Sequence, residues 1–143
     1  MLFRSIYPNI PLYKEVSQEI QKVFHEVTDL VEPLSLDEAY LDVTQNKLGE
    51  LSAVKLAKEL KNRIYDETKL TASAGVSFNK FLAKVASDLN KPDGLSVILP
   101  NEAESFLEKL EVKRFFGVGK VTEAKMKEFN IKTGWDLKKQ SLA

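Results

Sequence analysis

Glu32-Pro-Leu-Ser-Leu-Asp-Glu-Ala-Tyr-Leu-Asp-Val-Thr44 sets two adjacent carboxylates, Asp37 and Glu38, between two apolar runs. Leu30, Val31 and Leu34 come before the pair, and Ala39, Tyr40, Leu41 and Val43 follow it, so the stretch reads as strand, tight turn, strand. A hairpin tip with two acids is either a metal site or a solvated turn. Neighbouring side chains on a strand point to opposite faces, so the two acids share an ion only if the turn bends one of them round, or each serves a different ion. Mg2+ takes one or two carboxylates together with substrate phosphates, which matches this supply. Two carboxylates are barely enough for two ions, and a third is expected close in space. Asp42 reads as structural or exposed.

Outward from the hairpin, the apolar positions alternate between helical and strand spacing. Upstream, Pro8 and Pro11 punctuate an extended lead-in of about ten residues. Leu12, Val16, Ile20, Val23, Phe24 and Val27 then recur at helical spacing, with charged residues opposite. Downstream, Leu51, Val54, Leu56, Ala57, Leu60, Ile64 and Tyr65 predict a helix from about Leu51 to Thr68. Leu70-Thr-Ala-Ser-Ala-Gly-Val-Ser77 is a β-prone run whose small centre implies close packing by a helix or a substrate. Phe78 to Leu89 returns to helical spacing, Asn90-Lys-Pro-Asp-Gly94 breaks it, and Leu95 to Leu99 reads as a short strand. Asn101 is the expected N-cap of a further helix, with Glu104 three positions on. Helices outnumbering strands, with a hairpin among them, predict an α+β fold: an incomplete ferredoxin-like layer in which helices cover a mostly antiparallel sheet. Such a sheet would begin with a strand, whereas this chain begins with a helix, so a preceding piece is expected to be missing. An uncovered sheet edge would invite a second copy, giving a homodimer or strand exchange.

Composition excludes several classes. The 143 residues contain no cysteine, so neither a disulfide framework nor a thiolate metal site is available. No apolar run approaches a membrane span, and a cytoplasmic location is expected. The formal net charge is zero. That balance hides an asymmetry, because residues 113–143 hold eight basic against three acidic side chains, a local charge of +5. Within this tail, Phe116-Gly-Val-Gly-Lys120 precedes a helix carrying Val121, Ala124, Met126 and Phe129. Gly117 and Gly119 allow a tight hairpin, and backbone N–H groups at the mouth of the next helix can approach a phosphate without a Cβ in the way. With Lys120 and Lys125 alongside, this helix-hairpin-helix arrangement reads as a sequence-independent grip on a nucleic-acid backbone. The alternative is a generic helix–helix turn with a solvated basic face. Trp135 is expected to pack the short terminal helix against the hairpin helix, with base stacking as its alternative. His25, the one histidine, receives no role.

Four ordered stretches carry a resemblance: Ser35 to Thr44, Leu70 to Ser77, Lys80 to Gly94, and Phe116 to Lys120. Together they resemble successive signatures of the Y-family translesion DNA polymerases of the DinB type, from about Tyr13 onward. The resemblance implies a partial palm over residues 1–110 and a partial thumb with a helix-hairpin-helix over 111–143. It implies that Asp37 and Glu38 are catalytic carboxylates holding Mg2+, two ions being expected in the complete enzyme. Lys91 would contact the incoming deoxynucleoside triphosphate, and Gly117, Gly119 and Lys120 would hold the backbone of primer-template DNA. Lys80 and Lys84 match family lysines and are expected either to contact phosphate or to be solvated.

The family's first acidic strand, which carries a third metal ligand, its fingers and its little-finger domain have no counterpart here. The chain therefore resembles an internal fragment and is expected to be inactive alone. A sliding clamp would be reached only through a C-terminal region beyond it. The parent activity implied is error-prone, template-directed nucleotidyl transfer past DNA damage. The alternative for the fragment is a non-catalytic module that binds DNA backbone through its hairpin.

Overall fold

A computed structural model describes residues 6–141, so the expected lead-in over residues 1–5 lies outside the described residues. The elements in order are α1 (Ile10–Val27), β1 (Val31–Pro33), β2 (Ala39–Leu41), α2 (Ala53–Thr68), β3 (Ala74–Val76), α3 (Lys80–Leu89), β4 (Leu95–Val97), α4 (Ala103–Lys109), a 3-10 turn (Val112–Arg114), α5 (Lys120–Glu128) and α6 (Gly134–Lys138). They form two compact units, Met1–Ala72 and Ser73–Ala143.

In the first unit, Asn9 caps α1 by accepting from the Leu12 N–H at 3.2 Å. Pro11 stands inside the first turn rather than in a lead-in, because the missing proline N–H has no helical partner to lose there. The core is a seam between α1 and α2 formed by Val23, Val27, Leu56, Leu60 and Ile64, with Leu41 and Val43 packed against it. Burying each such side chain favours folding by about 1.5–3 kcal/mol before the entropy of ordering is subtracted. Arg63 on α2 reaches Glu26 on α1 at 2.7 Å and ties the exposed side of the seam. Leu51 is fully exposed, because α2 starts only after the N-cap Ser52. The hairpin pairs antiparallel, with Val31 opposite Leu41, Glu32 opposite Tyr40 and Pro33 opposite Ala39.

In the second unit, β3 and β4 pair parallel, with Ala74 opposite Leu95 and Val76 opposite Val97, and α3 is the crossover between them. A parallel pair needs such a crossover, whereas the hairpin needs only its turn. The small centre of the 70–77 run is covered by a helix. A Cβ at Gly75 would lie 2.0 Å from the Ala83 carbonyl oxygen and 2.4 Å from the Ser87 nitrogen, both on α3. Leu82, Ala86, Ile98 and Ala103 form the core here, with Phe81, Phe106 and Leu107 against it.

The start of α4 differs from expectation. Its N-cap is Glu102 with no side-chain cap, and Glu104 turns away to Lys138 of α6 at 2.5 Å, so the Asn101–Glu104 box does not form. The box forms instead at α6, where Thr133 and Asp136 cap each other reciprocally. α6 packs on α4 rather than on α5, and a Cβ at Gly134 would meet the Leu107 carbonyl oxygen at 2.0 Å. Trp135 sits at the rim, 44% exposed, under the ammonium groups of Lys139 at 4.6 Å and Lys138 at 5.7 Å. α5 buries no residue, and Val121 and Phe129 are each more than 70% exposed. Val121 and Met126 stand about 140° apart at 100° per residue, too wide for one apolar stripe.

Candidate active site and nucleic-acid interface

The acidic tip is shaped by its own backbone. The N–H groups of Leu34 and Ser35 both donate to the Glu38 carbonyl, at 2.8 and 3.2 Å, and this closes the turn just before β2. Asp37 thus lies in the bend and Glu38 at the mouth of the strand, so the alternation of a straight strand does not govern the pair. The Ser35 hydroxyl donates to Asp37 Oδ1 at 2.7 Å. Asp37 is exposed and Glu38 half-buried. Among the described residues no group of three His, Cys, Asp or Glu side chains stands together, so the expected third carboxylate has no counterpart there.

Asp42 has a structural role close by. Its carboxylate accepts from the Thr44 N–H at 2.9 Å, and hydrogen bonds from Thr44 hold its pKa below the usual carboxylate range. The Asp42 carbonyl takes the hydroxyl of buried Thr28 at 2.7 Å, which fastens β2 to the end of α1.

In the second unit, Lys91 follows α3 at a cis Lys91–Pro92 bond. Its ammonium lies 2.6 Å from Asp88 Oδ1, and Lys84, whose side chain is only 13% exposed, stands 3.5 Å from Asp88 Oδ2. Partial burial pushes the Asp88 pKa up, but the hydrogen bonds and positive charges of Lys91 and Lys84 outweigh it and leave the group lowered. Gly94 is fixed here by space, because a Cβ would fall 2.1 Å from the Asn90 carbonyl oxygen. Asp88 carries no role in the sequence reading, although its i+4 spacing from Lys84 and its position three before Lys91 are the signal for it. Lys80 opens α3 behind the cap Asn79, which accepts from the Leu82 N–H at 2.8 Å.

The glycine hairpin lies in the same unit. Gly117 has φ +91°, a conformation other residues rarely adopt, and Gly119 is the N-cap of α5 with Lys120 as its first residue. Apart from the adjoining residues, no atom lies within 4 Å of where a Cβ would stand on either glycine. Open space around two glycines at a helix mouth is the geometry by which backbone N–H groups meet an anion. Behind the hairpin, a cleft of about 470 Å³ is bounded by Asp88 and Leu89 of α3 and by Lys113, Arg114 and Phe116. Phe81 and Phe115 meet edge to face in this unit, with centroids 5.6 Å apart. The acidic pair lies in the first unit; Lys91, Gly117, Gly119 and Lys120 lie in the second.

Residues 4–88 match the impB/mucB/samB family, and residues 100–131 match the IMS family HHH motif. The chain belongs to the impB/mucB/samB family. It is 57% identical over 136 residues to DNA polymerase IV of Listeria monocytogenes serotype 4b (strain CLIP80459), a match covering 95% of this chain and 38% of that protein. Among solved structures, DinB from Sulfolobus solfataricus superposes with a TM-score of 0.86 at 34% identity, over 95% of this chain and 40% of that one. A Y-family DNA polymerase chimera gives 0.83 at 36% identity, over 92% and 39%. The chain thus spans a little over a third of the length of these relatives. Among the described residues, no helix is long and apolar enough to cross a membrane.

Proposed function

We propose that this chain is a segment of a cytoplasmic translesion DNA polymerase, with partial palm over residues 1–110 and partial thumb over 111–143. The observation that carries the reading is the Asp37–Glu38 pair at a closed hairpin tip, inside the stretch that matches the family. The donors fit the ion implied: both are hard carboxylate oxygens at an open turn, the type of ligand Mg2+ accepts beside substrate phosphates. Bound there, Mg2+ would lower the cost of negative charge on the attacking and leaving oxygens of nucleotidyl transfer. Asp37 and Glu38 would hold it. Lys91 would neutralise the triphosphate of the incoming nucleotide, and triphosphate would compete with Asp88 for its ammonium. Gly117 and Gly119 would let the primer-template backbone approach the N-terminus of α5, and Lys120 would add a phosphate contact.

Two carboxylates without a third among the described residues hold two ions poorly, so the isolated chain is expected not to extend primers. A chimera in which this segment replaces the matching 136 residues of the Listeria relative is expected to extend primers with Mg2+. A folded chimera that incorporates no nucleotide would contradict the reading.

A second reading, favoured by the open Gly117–Gly119 hairpin, is that the isolated chain acts as a DNA-backbone-binding module. Electrophoretic binding to duplex DNA that weakens steeply with salt is its expected signature, and no binding at low salt contradicts it. A homodimer at high concentration is a further expectation, because each sheet has only two strands among the described residues. A monomer mass by light scattering at millimolar protein contradicts that. Any sliding-clamp contact would use sequence beyond this segment, and clamp retention of the isolated chain would contradict it.

A further inference from the structure

We propose that Ser35 is a positioning residue for Asp37: its hydroxyl engages Oδ1 and leaves Oδ2 as the oxygen presented to a divalent cation. The inference rests on the reading of Asp37 and Glu38 as ion-holding carboxylates. An ionised carboxylate only accepts, so the proton in the 2.7 Å contact belongs to the serine hydroxyl. That distance is typical of O–H···O bonds, and the charge on the acceptor strengthens it. The Asp37 N–H lies 3.4 Å from the same hydroxyl oxygen, which turns the hydroxyl proton toward the carboxylate.

Ser35 is itself held in place. Its own N–H donates to the Glu38 carbonyl at 3.2 Å, so one residue grips Glu38 through the backbone and Asp37 through the side chain. An exposed aspartate without such a partner samples several rotamers, and fixing one of them falls to the ion. With Oδ1 engaged, Asp37 is set for one-oxygen ligation, which suits the near-octahedral demands of Mg2+ better than a chelating carboxylate does. Outer hydrogen bonds to ligating carboxylates typically tune ion affinity by about 10- to 100-fold.

The test is Mn2+ binding to the Listeria chimera, followed by the electron paramagnetic resonance signal of free Mn2+, in the parent chimera and its Ser35→Ala, Ser35→Thr and Asp37→Asn variants. Ser35→Ala is expected to bind Mn2+ about 10- to 100-fold more weakly. Ser35→Thr, which keeps the hydroxyl, is expected to bind like the parent. Thermal midpoints are expected to match across the set. If Asp37→Asn weakens binding while Ser35→Ala does not, or if Ser35→Thr is as weak as Ser35→Ala, the positioning role is overturned and the ion-holding reading stands. If the parent takes up no Mn2+, or Asp37→Asn binds as the parent does, that reading fails and the role of Ser35 with it.

Discussion

Gly75→Ala tests the packing that carries α3 and, with it, Lys84, Asp88 and Lys91. The added Cβ would lie 2.0 Å from the Ala83 carbonyl oxygen, 2.4 Å from the Ser87 nitrogen and 2.9 Å from the Ala86 Cβ. Comfortable contacts are about 3.5 Å or more, so the helix must lift off β3 by roughly an ångström. Two of the three neighbours are backbone, so no side-chain rotation relieves the clash. Overpacking commonly costs about 1–3 kcal/mol, and a clash against backbone belongs at the upper end or beyond, about 3 kcal/mol. For a chain of this size that is a melting-point loss on the order of 10 °C. Gly49→Ala is the control: nothing lies within 4 Å of its Cβ position, and only its φ of +67° is strained, a cost of about 1–2 kcal/mol. Thermal unfolding followed by circular dichroism reads both. A Gly75→Ala protein that melts within 3 °C of the parent, or above Gly49→Ala, refutes the close-packing reasoning.

Thr28→Val removes the hydroxyl that donates to the Asp42 carbonyl and accepts from the Leu30 N–H, at a residue 1% exposed. It is expected to cost about 1–3 kcal/mol in urea unfolding, and an unchanged midpoint would be the contrary result. The carboxyls of Asp42, Glu104, Glu111 and Asp136 are held below their usual range by hydrogen bonds from Thr44, Lys138, Lys113 and the Lys132 N–H respectively. Groups lowered in the folded state stabilise it above their unfolded pKa of about 4 and lose that contribution as pH falls through the folded values. Stability should therefore drop below about pH 4, with a shallower acid limb in Asp136→Asn; an identical limb would contradict this. Lys120→Ala is expected to weaken duplex binding and to lower the slope of log affinity against log salt by about one unit, whereas an unchanged slope would take Lys120 out of the phosphate contact.

Much of this architecture was legible because single residues carried local physics. The hairpin around Asp37 and Glu38 follows from two apolar runs separated by a polar turn, and it forms in that register. Gly75 announced a close approach, and α3 is what approaches. What stayed hidden depends on partners distant in sequence. Glu104 stands where a capping box would use it, yet Lys138, thirty-four residues on, takes it instead. Thr133 and Asp136 form the box that spacing had suggested for Asn101. The apolar residues of α5 spread too widely round the helix to form one packing face, and none of them is buried. The roles of Ser35 and Asp88 are contacts between polar neighbours, and no hydrophobic period reports those.

The proposed role of Asp37 and Glu38 is the metal-dependent chemistry of a DNA polymerase. Its most direct measurement is single-nucleotide incorporation with Mg2+ by the Listeria chimera, with and without Asp37→Asn and Glu38→Gln together. Incorporation by the unsubstituted chimera is expected, with a loss of at least about a thousandfold in the double variant and DNA binding retained. Incorporation by the double variant at the unsubstituted rate would contradict it.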